Sequence, residues 1–566
     1  MPRSTALLFF RRMRAPLIVL VAAYSIATIG FTLMPGTDDQ GNPWRMSLFE
    51  AFYVVSYTGS TIGFGEVPHE FSKAQRLWTM VSIYLTVTAW LFSIGSIISL
   101  MQDSAFAQAL RGARFRRAVR NYDRPFYLLC GYGDTGRLLT RTLTELFHPV
   151  VVVDSRSEKI DDMSVDVHRV PVNGFCMDAT HPDNLISAGL QSRWCMGVMA
   201  VTADDRVNLK IAVAARLLNQ RAAVYARADE AQVADNMRSF DTAHVVNPAE
   251  EFVRRLRLAL TRPHTYRLYQ WLRSSPSSEV PELVDAPSGR WVLCGFGRFG
   301  RAVHRMLCDL GIEVTVIEED TSLDGLPKGV IAGRGTQAET LEAAGIERAV
   351  GLLATTRDDV DNLSILITAR SINDSLFTGA LCNRWSSAAL FRAAELDFVG
   401  QPGALIAGTV ISHIRSPLLE PFFDRLEQGE DQLSAEVLKR LVPDQAASQP
   451  EFFTVRVSKK RAPALHALIE HGLEPTAGLF QRDPARPGKT VPVEVLMLSR
   501  GDEDHLLPDA DLVLQSGDRL LVACPSRMAR RLRGLVDNEL AAYRALTGRE
   551  PPRHWPDVAV AQDRQG

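Results

Sequence analysis

Two uncharged runs, Ala15–Met34 and Leu77–Met101, constrain this chain more than any other feature it has. As helices rising about 1.5 Å per residue, each is long enough to cross a hydrocarbon layer roughly 30 Å thick. Backbone inside a bilayer has no water to bond to, so isolated spans of this kind must be helical. A cleaved leader is the other reading of the first run, but no small-x-small cleavage pattern follows it. Arg3, Arg11, Arg12 and Arg14 precede the first run, and Arg111, Arg114, Arg116, Arg117, Arg120 and Arg124 follow the second. The positive-inside rule then places both chain ends in the cytoplasm, with Trp44 and Trp78 where interfacial aromatics belong. The first part thus divides into a cytoplasmic N-terminus (1–14), a first span (15–34), an external loop (35–76), a second span (77–101) and a linker (102–124). The linker reads as a continuing helix with arginines on several faces.

The loop between the spans has its own pattern. Ser47-Leu48-Phe49-Glu50 is a capping box that starts a short apolar helix over residues 47–58. Its carbonyl end favours a cation. Ser60-Thr61-Ile62-Gly63-Phe64-Gly65-Glu66 follows, with glycines at alternate positions that let successive carbonyls turn to one side. Thr61 to Gly65 resembles the selectivity filter of potassium channels, T-x-G-Y/F-G, and with the flanking helices it resembles the two-span members of that family. The resemblance implies a homotetramer in which Thr61, Ile62, Gly63 and Phe64 hold K+ by their carbonyls and the threonine hydroxyl. Two positions depart from the common pattern. Phe64 lacks the hydroxyl of the usual tyrosine, which could brace the filter, and Glu66 is one methylene longer than the usual aspartate.

Past the spans the chain repeats itself. Phe126–Cys130 leads into Gly131-Tyr132-Gly133-Asp134-Thr135-Gly136, a helical stretch, and Val150–Val153 ending in Asp154. Strand, glycine loop, helix, strand and acid form the dinucleotide fingerprint, with the acid placed for ribose hydroxyls. Trp291–Cys294, Gly295-Phe296-Gly297-Arg298-Phe299-Gly300 and Val314–Ile317 ending in Glu318 repeat it, with the same interval from last glycine to acid. Thr202, Asp204, Asp205 and Asn208 return as Thr356, Asp358, Asp359 and Asn362, so this is an internal duplication. Asp205 and Asp359 read as helix N-caps rather than as calcium ligands.

These residues resemble the regulator-of-potassium-conductance (RCK) domain, with its TrkA-N nucleotide lobe and TrkA-C-like C-lobe. The resemblance covers residues 125–250 and 290–415, joined by connecting segments 251–289 and 416–450. Ser274-Ser275-Pro276-Ser277-Ser278 marks a linker between the copies. The family pattern G-D-A-T appears as Met177-Asp178-Ala179-Thr180 in the first copy and as Gly333-Arg334-Gly335-Thr336 in the second. With Thr202 and Thr355, these positions complete the expected nucleotide contacts. Asp134 inside the first phosphate loop repels a diphosphate, whereas Arg298, with Arg334 nearby, attracts one. The second copy is therefore expected to bind NAD(H), ADP or another adenine nucleotide more tightly. The first copy either binds nucleotide or serves as scaffold. Residues 451–538 read as a smaller α+β C-lobe and 539–566 as a flexible tail.

The fold class expected is a two-span α-helical pore module followed by α/β: two tandem Rossmann-like, doubly wound parallel sheets and a C-terminal α+β lobe. A length of 566 residues fits several domains, and a net charge of −2 favours no nucleic-acid partner. The seven cysteines, Cys130, Cys176, Cys195, Cys294, Cys308, Cys382 and Cys524, include no C-x-x-C pair, as in a reducing compartment. The resemblance implies a multi-pass protein of the cell (inner) membrane, a potassium-selective channel gated by nucleotide. Its partners would be the lipid bilayer and three further copies, giving eight RCK domains in a ring, and Ca2+ is a second candidate ligand. The alternatives are a membrane-tethered, NAD-binding regulatory subunit of a separate potassium transporter and an NAD-dependent oxidoreductase. No Tyr-x-x-x-Lys pair supports an enzyme, so none is expected.

Overall fold

The computed structural model describes residues 3–66, 68–239, 244–273, 280–284, 287–442, 450–483, 486 and 489–552. The linker Ser274–Ser278 lies outside them. The chain forms two compact units, Met1–Asp123 and Arg124–Gly566.

The first unit is helical: Arg3–Leu33, Leu48–Gly59, Lys73–Gln102 and Ser104–Arg120. The stretches Met13–Leu33 and Lys73–Leu100 are long and apolar enough to cross a membrane. Where these two helices meet, the indole of Trp78 seats on Gly30, whose added Cβ would lie 2.0 Å from the ring. Trp78 Nε1 donates to the Ala27 carbonyl at 3.0 Å. The half-buried tryptophan therefore locks the helix pair together, a packing role beyond the interfacial one expected of it. Ala27 and Phe31 join Ala51, Val54, Val55 and Phe71 in a small core that seats the short helix. Many other apolar side chains on the two long helices, such as Val21, Ile29 and Leu91, are exposed.

The linker does not continue the second long helix unbroken. Asp103 is extended (φ −69°, ψ 115°), and its carbonyl accepts the Ala107 N–H at 3.0 Å, so a new helix starts at Ser104. Asp and Ser favour helix caps over helix interiors because their short side chains compete for backbone groups.

The second unit contains two six-stranded sheets, every strand pair in them parallel. The first runs Val172–Cys176, Val150–Asp154, Phe126–Cys130, Cys195–Ala200, Ala223–Arg227, His244–Val246. The second repeats it as Ile331–Ala332, Val314–Glu318, Trp291–Cys294, Gly351–Ala354, Phe377–Leu381, Phe398–Gly400. Strand order thus reverses beside Phe126–Cys130 and beside Trp291–Cys294, the position where doubly wound sheets open a crevice.

The two copies trade helices. The helix Pro248–Thr261, which ends the first copy, packs on Arg298–Asp309 of the second, while Pro402–Arg415 of the second packs on Asp134–Glu145 of the first. Small residues permit this. A Cβ on Gly400 would lie 2.1 Å from the Phe252 ring, and one on Gly403 would lie 3.3 Å from the Thr135 nitrogen. The segments expected merely to connect, 251–289 and 416–450, contribute much of the largest core instead. The helices Pro263–Arg273, Leu419–Gln428 and Asp431–Leu441 bring Tyr269, Trp271, Phe422 and Phe423 to full burial.

The C-lobe is an antiparallel sheet ordered Glu451–Arg456, Arg519–Cys524, Glu494–Arg500, Glu503–Leu506. Residues set aside as the start of a flexible tail are a helix, Glu539–Thr547. Asn538 caps it by accepting the Ala541 N–H, Gly548 ends it at φ 70°, and Ala542 and Ala545 are buried in the lobe. Their small side chains carried too weak an apolar signal to be read from the sequence.

A buried ionic cluster stitches this core. Arg273 lies 3.9 Å over the Tyr269 ring, pairs with Glu251 at 3.0 Å and also pairs with Glu420. Burial alone would raise the Glu251 carboxyl, but Arg273 and Arg255 hold it below its usual range. The Glu420 carboxyl is raised by burial in spite of Arg273. Arg273→Met leaves these two carboxylates short of a cation they share. It should destabilise the full chain in detergent by about 3–5 kcal/mol in a denaturant titration, with Arg273→Lys recovering part of the loss.

Candidate functional site

The loop between the two long apolar helices is positioned by its own short helix. Ser47 Oγ accepts the Glu50 N–H at 3.3 Å and the Glu50 carboxylate accepts the Ser47 N–H at 2.7 Å, a complete capping box. At the other end, Ile62 N–H donates back to the Tyr57 carbonyl at 2.9 Å, which turns the chain out of the helix. Thr61, Gly63 and Gly65 then take φ values of 61°, 66° and 92°. A threonine in the left-handed region is uncommon, and the alternation is what brings successive carbonyls to one side.

A hydroxyl reaches this loop from the helix before it. Tyr57 OH donates to the Gly65 carbonyl at 2.6 Å. The Phe64 ring stands edge-on to Tyr57, with centroids 5.7 Å apart, and parallel to Tyr53 at 6.4 Å. Glu66 reaches Arg76 with two contacts of 2.9 and 3.0 Å and accepts the Phe71 N–H at 2.8 Å. Its carboxylate thus ties the loop exit to the start of the second long helix. Tyr57 and Arg76 were not picked out from the sequence, since neither belongs to the glycine pattern.

The two glycine loops are built alike. Gly131 and Gly295 sit at φ 103° and 92°, where an added Cβ would be 3.0 Å from the backbone of the fourth strand's loop at Thr202 and Thr355. A Cβ on Gly136 or Gly300 would lie 2.0 Å from the carbonyl of Gly131 or Gly295. The middle glycines differ: nothing lies within 4 Å of a Cβ on Gly133 or Gly297. Both are helix N-caps with no side-chain cap, so the first-turn N–H groups of Asp134–Glu145 and Arg298–Asp309 are left uncapped by the loop's own side chains. That cradle suits a phosphate.

The acids expected at the ribose are committed to the loops themselves. Asp154 accepts the N–H groups of Tyr132 at 2.7 Å and Arg156 at 2.9 Å. Glu318 accepts those of Phe296 and, at 3.1 Å, Asp320. Tyr132, Thr135, Phe296 and Phe299 are buried, so their side chains belong to the packing. Tyr132 OH donates to Asp166 at 2.7 Å, and Phe299 meets Phe252 edge-on at 5.6 Å. Thr202 Oγ1 donates to Asn208 at 2.8 Å, and its counterpart is Thr356, bonded to Asn362 at 2.7 Å. Thr355, chosen from the sequence, is buried and donates to the Gly295 carbonyl at 3.0 Å.

Asp178 is half-exposed and accepts the Thr180 N–H at 2.8 Å, a bond that lowers its carboxyl below the usual range, while Ala179 is buried beside it. Arg334 is exposed and pairs with Glu319 at 2.9 Å. The N-caps are Asp204 and Asp358, one residue before those expected. Asp205 and Asp359 instead clamp neighbouring loops: Asp205 accepts the N–H groups of Asp229 and Glu230, each at 2.8 Å, and Asp359 accepts that of Asn383 at 2.6 Å. Among the described residues no group of three or more His, Cys, Asp or Glu could hold a metal ion, so the calcium expectation finds no cluster there.

Each cradle is also touched by the other copy. Asp134 Oδ2 accepts the Trp385 N–H at 2.9 Å, and Arg298 Nη1 lies 2.7 Å from Asp229 Oδ2. The contrast expected between a repelling Asp134 and an attracting Arg298 is therefore partly absorbed by residues far away in sequence.

Comparison with known proteins follows this division of the chain. An ion-channel family model matches residues 18–103, and the TrkA-N domain model matches 127–248 and 291–402. The chain carries an ion-channel domain and two TrkA-N domains. "Potassium channel protein 1" of Methanocaldococcus jannaschii is 24% identical over 230 residues, 40% of this chain and 64% of that protein. "Probable potassium channel protein 2" of the same organism is 22% identical over 203 residues, 35% of this chain and 57% of that protein. The match thus spans less than two thirds of either relative. Among solved structures, "GsuK channel bound to NAD" is 17% identical and covers 95% of this chain and 100% of that one, with a TM-score of 0.47. "Crystal structure of the GsuK bound to ADP" is 20% identical and covers 74% and 99%, with a TM-score of 0.45.

Two glycines of the second loop have opposite surroundings. Gly297→Ala enters open space and should leave the unfolding midpoint in a denaturant titration nearly unchanged. Gly300→Ala collides with backbone and should destabilise the fold by about 1–3 kcal/mol.

Proposed function

We propose that four copies of this chain form a potassium-selective channel of the cell membrane whose opening responds to adenine nucleotides bound in the TrkA-N domains. The observation that carries the pore reading is the run Thr61–Gly65, with left-handed residues alternating along it and Tyr57 bracing its end. Main-chain oxygens from four such loops replace the water shell of K+, and the short helix before them aims its negative end at the ion. The channel relatives support the same reading. By the arginine-rich flanks of both spans, the two chain ends lie in the cytoplasm.

For the nucleotide, the reading rests on the open space at Gly133 and Gly297 before two uncapped helix N-termini. The glycine loop and helix amides hold a diphosphate, and NAD(H) and ADP are the candidates. Bound ligand shifts the pore only by its difference in affinity between open and closed arrangements. The domains act as sensors, with no catalytic role.

Liposomes containing only the purified chain should release K+ and not Na+, with flux changed by ADP or NAD on the side bearing the TrkA-N domains. A chain that passes neither ion under any nucleotide condition, or both equally, overturns the pore reading. Tyr57→Phe removes the brace at Gly65, a bond of about 1 kcal/mol. It should narrow the K+/Na+ permeability ratio, read from bilayer reversal potentials, without lowering the amount of folded protein.

A further inference from the structure

We propose that Asp229, a residue of the first TrkA-N domain, sets the ligand affinity of the second domain's cradle by competing with the bound phosphate for Arg298. The inference rests on the nucleotide reading above and concerns how that site is regulated. Arg298 directly follows Gly297 and opens the first helical turn of the second cradle. A phosphate held by that turn would lie beside the guanidinium, which is already engaged by Asp229 at 2.7 Å.

Three features make the arginine the partner that moves. Its side chain is 44% exposed, against 12% for Asp229. Asp229 also holds Arg227 through two bonds of 2.9 and 2.8 Å, so losing Arg298 does not leave a nearly buried carboxylate without a cation. The Asp205 carboxylate accepts the N–H groups of Asp229 and Glu230, which pins the acid's backbone in place. Asp229 therefore stays while Arg298 can turn to a ligand.

The other cradle has no such exchange. At the place of Arg298 stands Asp134, bonded to the main-chain N–H of Trp385, and at the place of Asp229 stands Asn383. The Asn383 amide is bonded to Asp359 and to the Thr356 carbonyl. Among the described residues Asp134 forms no ion pair, so a diphosphate entering the first cradle meets an acid that holds no cation to release. Only occupancy of the second cradle breaks an ionic contact between the domains, and by linkage that contact opposes occupancy equally.

The test is a double-mutant cycle on the full-length chain in detergent, with ADP as probe and Gly133→Ala in every protein to silence the first cradle. Asp229→Asn should bind ADP about two- to fivefold tighter, the range a half-exposed ion pair can supply. Arg298→Gln should bind more weakly, and adding Asp229→Asn to it should change nothing. The gain should shrink as KCl is raised. A gain that persists beside Arg298→Gln, or no gain at all, overturns the proposal. Absence of ADP binding in every protein, including one without substitutions, fells the nucleotide reading itself and this proposal with it.

Discussion

The crossed packing of helices between the two TrkA-N domains is the constraint on which the cytoplasmic architecture depends. Pro248–Thr261 and Pro402–Arg415 each complete the other copy's core, and they do so only because Gly400 and Gly403 leave room for Phe252 and the Thr135 backbone. Each copy alone would leave an apolar helix face bare, a cost set by burial area. Tying the copies together this closely also brings the glycine loop of each up against the other, so that Asp134 meets Trp385 and Arg298 meets Asp229. A duplication that began as two equal units has become one body with two unequal cradles.

The first unit solves a different problem. Its long helices satisfy their own backbone, which frees the loop between them to hold an unusual conformation only where other groups enforce it. Tyr57, through the Gly65 carbonyl, and the Glu66–Arg76 pair both do so at the exit end of the glycine run. Phe64 carries no hydroxyl, and the one bonded to the Gly65 carbonyl comes from Tyr57 on the helix that precedes the loop. Rigidity here is a property of the loop and its neighbours together, and no residue of the glycine pattern supplies it alone.

The ionic cluster around Arg273 shows why polar groups are retained in a core. Two carboxylates, three arginines and Tyr269 share one region, and their bonds cross between helices that end the first copy and helices that follow the second. Net stabilisation from such a cluster is modest because desolvation offsets attraction. Its bonds nonetheless tie Pro248–Thr261 and Pro263–Arg273 to Leu419–Gln428, beside the interlocked helices.

By itself the sequence determined the two long apolar helices, the capping box, the glycine run, both strand–glycine-loop–helix units and the duplication. Each is written in spacings of a few residues, where local backbone preference and periodicity decide the outcome. Tertiary structure alone decided what those residues touch. Asp134 and Trp385 are 251 positions apart, and nothing local in either marks the other as its partner. The same holds for the role of Asp205, whose place after a capping residue disguised a clamp on the Asp229 loop. It holds too for the connecting segments, whose apolar residues declare burial without naming the face they bury against. Charge, hydropathy and glycine positions are local quantities, whereas the pairing of two domains depends on shape complementarity between surfaces far apart in the chain.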